Sequence, residues 1–169
     1  MDQPTAAASA PILRPARDDD ALEIARIWLV GWHDGHDGHV PPELVAHRPP
    51  ESFPPRVRER IPATWVADRD GEVQGFVTVH DDEVEQLFVD RAARGSGVAR
   101  ALLRRGEELV AAAGHEVAWL AVVAGNARAR AFYEREGWVD RGPFPYQAQT
   151  SSGEVTVPTH RYERNLATR

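Results

Sequence analysis

At 169 residues, 42% hydrophobic and 27% charged, the chain has the composition of one globular domain with a substantial core, and a second domain is not expected. Its formal charge of −6 argues against a nucleic-acid binder held by phosphate contacts, and the absence of cysteine removes a disulfide framework, a thiolate metal site and an acyl-cysteine intermediate. All 20 basic residues are arginine, so Schiff-base and lysine-nucleophile chemistry is excluded as well.

Residues 1–11 are small and polar, without a basic start or an apolar block, and read as a flexible tail ahead of a domain spanning 12–166. No run approaches the eighteen or so apolar residues of a membrane span, so no membrane partner is expected and a cytoplasmic location is the default. A short strand is predicted at 12–16. Asp18, Asp19 and Asp20 then cap a helix whose buried face is Ala21, Ile24, Ala25 and Trp28.

From Gly31 to Pro62 seven prolines break the pattern, which predicts loops with two short helical pieces near 41–47 and 54–60. Residues 32–39, Trp-His-Asp-Gly-His-Asp-Gly-His, read as a polar, turn-forming loop. Three histidines and two aspartates could be metal ligands, but no distant partner is implied and no metal is expected. Residues 64–67 and 73–79 read as a hairpin around Asp70-Gly71, and a third strand follows at 84–89.

That third strand runs into Asp90-Arg91-Ala92-Ala93-Arg94-Gly95-Ser96-Gly97 and then directly into a helical pattern. Glycines at 95 and 97 allow positive φ and close approach of a ligand, and the first N–H groups of the new helix lack intrahelical partners. The stretch from Arg94 through Gly95, Ser96, Gly97, Val98 and Ala99 to Arg100 is therefore an anion cradle suited to a phosphate or pyrophosphate. It is not a Walker A loop, for want of lysine, and it lacks the third glycine of a dinucleotide fingerprint. The helix after it presents Ala99, Leu102, Leu103, Gly106, Val110 and Ala113 on one face, with Glu107 mostly elsewhere. An unbroken apolar run at 117–123 is a central strand, which makes a parallel strand–helix–strand unit. Asn126 then caps a helix that Gly137 stops, and strands at 144–149 and 155–166 close the chain.

Two segments, Arg94-x-x-Gly97-x-Ala99 and Asn126-x-x-Ala129-x-x-Phe132-Tyr133-x-x-x-Gly137-Trp138, resemble in order and spacing the phosphate loop and fourth helix of the GNAT superfamily of N-acetyltransferases. The resemblance implies an α+β fold of three α/β/α layers. Its mixed, mostly antiparallel sheet of about seven strands would have a central parallel pair that splays to admit the pantetheine arm of acetyl-CoA. It further implies that Leu87, Phe88 and Val89 bind that arm, that the loop holds the pyrophosphate, and that Asn126 joins the cofactor-binding set. The segment from Gly31 to Pro62 would cover the acceptor pocket, and an acidic chain mildly favours a cationic amine.

The implied activity is direct transfer of the acetyl group to a primary amine of a small molecule or protein, without a covalent enzyme intermediate. Acetyl-CoA is the cosubstrate and no metal takes part. Tyr133 would protonate the departing sulfur. Some relatives carry a glutamate where this chain has Ala121, so that version of the base is missing; two other glutamates come first, and a histidine of the 33–39 loop or a water chain stays open. Glu85 is the first candidate, because strand alternation puts it on the face of Leu87, and Glu83 lies one step further out. The alternative is a non-catalytic acyl-CoA sensor of the same fold. Many relatives pair, so a homodimer stays open.

Overall fold

The computed structural model describes residues 9–167; most of the expected tail, residues 1–8, lies outside the described residues. Seven strands form one sheet in the order β1-β2-β3-β4-β5-β7-β6, with β1 at Ile12–Pro15, β2 at Thr64–Arg69, β3 at Glu72–His80, β4 at Glu83–Val89, β5 at Val117–Val123, β6 at Val139–Thr150 and β7 at Gly153–Asn165. Every neighbouring pair is antiparallel except β4 and β5, which run parallel and meet at a single register pair, Glu83 with Trp119. Beyond that point they part, so the expected splay is present. The junction is pinned by Asp82, whose carbonyl accepts from the Trp119 backbone N–H and whose carboxylate accepts from its indole, each at 3.0 Å.

Five helices cover the sheet: α1 at Ala21–His36, α2 at Pro42–Ala46, α3 at Phe53–Arg60, α4 at Val98–Ala112 and α5 at Ala127–Arg135. They build two apolar clusters. Ile24, Ile27 and Trp28 of α1 and Phe53 and Val57 of α3 pack with Phe76 of β3 in one, while Leu102, Leu103 and Val110 of α4 pack with Val77, Leu120 and Tyr162 in the other. The acidic run does not cap α1 as expected: Asp18–Asp20 form a 3-10 turn that leads into it, the N-cap Asp20 makes no side-chain bond to the first N–H groups of α1, and its carboxylate instead accepts from the Arg17 N–H at 2.7 Å. Arg14 of β1 locks that corner to β2 by bonding both Asp20 oxygens, at 2.8 and 2.9 Å, and Asp68 at 2.9 Å. The hairpin turns on Asp70 and Gly71, both at positive φ, and the short helices of the proline-rich segment form where the spacing put them.

Four further expectations need correction. Helix α1 does not stop where the pattern breaks at Gly31 but runs for 16 residues to His36, so most of the predicted histidine loop is its last turns. On α4, Ala113 is exposed and Ala99 only half-buried, whereas Glu107 is buried, where it accepts from the Trp138 indole at 3.1 Å. Strand β6 begins at Val139, five residues earlier than the pattern indicates. Finally, β4 carries a bulge: His80 pairs with Glu83 and Val79 with Val84, but Thr78 pairs with Gln86, leaving Glu85 as the extra residue. Alternation is broken there, so Glu85 does not share the face of Leu87.

Close approach of β3 to β4 requires Gly75, since a Cβ there would lie 2.8 Å from the Phe88 carbonyl oxygen. Gly75→Ala is therefore expected to cost about 1–3 kcal/mol, or several degrees in Tm, by overpacking against backbone. A melting curve identical to wild type would contradict this packing.

Candidate active site

The loop between β4 and α4 has the conformation its glycines permit. Gly95 has φ of 75° and Gly97, the N-cap of α4, has φ of 88°, and a Cβ at either would meet nothing within 4 Å. Their need is thus for the left-handed backbone and for open space above it. The two arginines of the cradle are held by carboxylates. Arg94 bonds Asp34 of α1 at 2.9 Å, as does Arg91, and Arg100 bonds Glu136 at 2.9 Å. The pull of Arg91 first, then Arg94, keeps Asp34 well below the usual carboxylate range. An incoming polyanion would exchange these carboxylates for its own oxygens.

From the loop a cleft of about 510 Å³ runs along the gap between β4 and α5. The Asp90 N–H donates to Gln74 of β3 at 2.9 Å, and because N–H groups alternate along a strand, those of Leu87 and Val89 point the other way, into the gap. The floor is close-packed. A Cβ on Gly31 of α1 would fall 2.5 Å from the Phe88 ring, and one on Gly35 would fall 2.7 Å from the Asn126 amide, so these glycines let α1 press onto β4 and the α5 cap. Asn126 itself accepts from the Ala129 N–H at 3.2 Å, as a cap should.

A second cavity, of about 250 Å³, continues from the first. The two share Gly31, Leu87, Phe88, Asn126, Ala129 and Tyr133 in their walls. Tyr133 is 9% exposed, and burial raises its phenol above the ordinary value, so it keeps its proton at any physiological pH. Beyond it stand Glu83, Glu85, Tyr146 and His36, together with Arg48, Arg56 and Arg60. Arg60 bonds Glu85 at 2.6 Å. Burial, and then the like charge of Glu85, push Glu83 up to about 7. Burial lowers His36 to about 4. Its Nδ1 lies 2.8 Å from the Trp32 carbonyl and must donate there, which leaves Nε2 as an acceptor.

A family model described as the Acetyltransferase (GNAT) family matches residues 22–138, from the first turn of α1 to the end of the α5 motif. The chain belongs to the GNAT acetyltransferase family. Among curated proteins it is similar to an IAA acetyltransferase from Azospirillum brasilense, 39% identical over an alignment of 88 residues that covers 48% of this chain and 58% of that protein. Among solved structures it is similar to a GCN5-related N-acetyltransferase from Rhodopseudomonas palustris, with a TM-score of 0.71 and 20% identity over 94% of this chain and 98% of the other. It is also similar to yncA from Salmonella typhimurium, solved with its cofactor acetyl-CoA, with a TM-score of 0.67 and 18% identity over 94% and 95% of the two chains. These likenesses show the GNAT fold.

The residues expected at the GNAT cofactor site are largely brought together. Leu87, Phe88, Val89, Arg94, Gly95, Gly97, Ala99, Arg100, Asn126 and Tyr133 line the larger cleft. The side chains of Ser96 and Val98 do not: the Ser96 hydroxyl donates to the Ala93 carbonyl and Val98 is in the core, so only their backbone could serve. Glu85 lines the smaller cavity instead. Among the described residues no three His, Asp or Glu side chains are grouped to hold a metal ion, and His33 is engaged with Asp37 and the Arg48 carbonyl. The histidine segment was expected at the acceptor pocket, and of its three histidines His36 lines the cavity; sequence reasoning missed Tyr146 and the three arginines. For the helix that carries His36 a usable signal existed in the spacing of four that links Trp28, Trp32 and His36 and likewise Gly31 and Gly35, the mark of one continuing helix.

The raised Glu83 has a consequence for stability. A carboxyl whose folded pKa lies above its unfolded value of 4.5 favours folding while protonated, and that contribution is lost as pH rises toward and through 7. Glu83→Gln should therefore be more stable than wild type at pH 8, by about 1–3 kcal/mol, with the difference vanishing near pH 4. Denaturant titrations across that range check it; a difference independent of pH would contradict it.

Proposed function

We propose that this GNAT chain moves the acetyl group of acetyl-CoA directly onto a primary amine, within a domain spanning 12–166 and in the cytoplasm, with no metal. The observation that carries the reading is the junction at Tyr133: a phosphate cradle and unpaired strand N–H groups lie on one side of it, a cavity with two carboxyl groups on the other. Bound acetyl-CoA supplies a thioester, which an uncharged amine attacks. The chain's part is to hold the pyrophosphate on the loop N–H groups of 95–100 and the pantetheine arm on the N–H groups of Leu87 and Val89. One N–H of this stretch of β4 stabilises the charge that develops on the carbonyl oxygen.

Two protons must move. The acceptor arrives as an ammonium and loses one to a base. Glu83, balanced near neutrality, suits that role better than Glu85, whose carboxylate is taken by Arg60 at 2.6 Å. As the carbon–nitrogen bond forms and the carbon–sulfur bond breaks, the Tyr133 hydroxyl gives its proton to the leaving sulfur, and the second proton, shed by the nitrogen as it becomes the amide, returns to the Tyr133 phenolate. Burial keeps that phenol protonated until then. Glu85 and Arg60 then act as positioning residues for the cavity wall.

Acetyl-CoA at about a hundred times its Kd should add roughly 2.7 kcal/mol to stability, visible as a rise of several degrees in Tm. Tyr133→Phe should keep that rise and the fold while lowering turnover by about 10²–10⁴-fold, the range of a positioned general acid. Steady-state CoA release checks it. Turnover within a few-fold of wild type would remove Tyr133 from the mechanism, and acetyl-CoA binding without turnover on any amine would favour the sensor.

A further inference from the structure

The cavity beyond Tyr133 is walled by three arginines and two glutamates, although the chain as a whole carries a charge of −6. Arg60 is matched by Glu85. Arg48 and Arg56 are not matched: among the described residues neither forms an ion pair with a carboxylate. Arg48 is 5% exposed and spends its terminal N–H groups on backbone carbonyls, those of Gln149 at 2.8 Å and His47 at 3.2 Å, while its Nε has no partner. The Arg56 guanidinium lies 4.4 Å over the Trp28 ring and 5.5 Å from that of Phe53, and its buried Nη1 has no partner either. Burial lowers both, Arg56 to about 9, which still leaves it charged at neutral pH.

Other arginines of this chain are paired with carboxylates, Arg14 with Asp20, Arg94 with Asp34, Arg100 with Glu136 and Arg130 with Asp140, and those that are not, such as Arg69 and Arg164 among the described residues, stand apart from this cavity. A buried or half-buried cation without a bonded carboxylate is costly, and two at one cavity, each with an unmet donor, form a site for an anion brought from outside. Stacking on Trp28 orients the Arg56 fork, the geometry that suits a planar carboxylate. On the same cavity Glu83 and Glu85 offer the opposite charge to an ammonium. The volume of about 250 Å³, with Trp32, Leu44 and Val157 alongside, fits a small molecule with a modest apolar side chain rather than a protein chain.

We propose that the acceptor is a small amine bearing its own carboxylate, an amino acid or close analogue, with Arg48 and Arg56 binding the carboxylate while the amine faces Glu83. This deepens, and rests on, the acetyltransferase reading above, and it replaces the cationic amine that overall charge favoured.

The test compares matched acceptors in the full chain at saturating acetyl-CoA: methionine against methioninamide, phenylalanine against its amide, ethanolamine against phosphoethanolamine, and a short peptide with a free N-terminus. CoA release is the readout. The free amino acids should exceed their amides in kcat/KM by about 10- to 100-fold, as for loss of a charge-assisted bond. Arg56→Gln should erase that preference through the KM for the amino acid and leave the KM for acetyl-CoA alone, and Arg56→Lys should restore part of it. Should Arg56→Gln fail to fold, the wild-type panel and Arg56→Lys carry the test. Amides or the peptide used as well as the amino acids, no turnover of either, or a preference for phosphoethanolamine would overturn the assignment, provided acetyl-CoA still raises Tm. Failure of acetyl-CoA to raise Tm would instead overturn the acetyltransferase reading beneath it.

Discussion

Two parallel strands that hydrogen-bond at one residue pair and then separate leave backbone donors with nothing to bond, and in a folded interior such groups must be satisfied by something. β4 and β5 part after Glu83 and Trp119, and the rest of the molecule is arranged about that gap. Asp82 fixes the point of divergence through two bonds to Trp119. The bulge at Glu85 re-aims β4 just beyond it, and Gly31 and Gly35 allow α1 to close one side while α5 and Tyr133 close the other. A long thin ligand with a string of amide groups is what such a gap accommodates. Its N–H groups at Leu87 and Val89, left out of the sheet, are the ones we propose bind the pantetheine arm.

Charge is distributed to match. At the loop end, arginines are held by Asp34 and Glu136, so the cradle stays neutralised until a phosphate group competes for them. At the acceptor end the pairing is incomplete, with Arg48 and Arg56 short of counter-ions and Glu83 lifted by burial into the neutral range. The two ends therefore call for different ligands, a polyanion at one and a group of mixed charge at the other. Tyr133, apolar in its surroundings and bearing a proton, sits where they meet.

The phosphate loop and the Asn126 helix were legible in the sequence because their signals are local: glycines needed at positive φ, a capping side chain, an apolar strand of the right length. The end of α1 was not. Gly31, Asp34, Gly35 and Asp37 read as turn formers, yet the helix continues because Trp32 packs into the core and the two glycines make room for Phe88 and Asn126, contacts made with residues far along the chain. The face of Glu85 was likewise hidden, since a bulge leaves no mark on a period-2 pattern until pairing partners are known. Arg48 and Arg56 belong to no motif. Their meaning comes from what does not pair with them, which only the folded arrangement reveals.

The central claim is that β4 offers its outward N–H groups to the pantetheine arm, and amide hydrogen exchange resolves it residue by residue. In the free protein Leu87 and Val89 should exchange far faster than Asp90, which is bonded to Gln74 of β3. Saturating CoA should protect Leu87 and Val89 strongly and leave Asp90 as it was. Protection of Leu87 and Val89 already present without CoA, or exchange unaltered by it, would contradict the account.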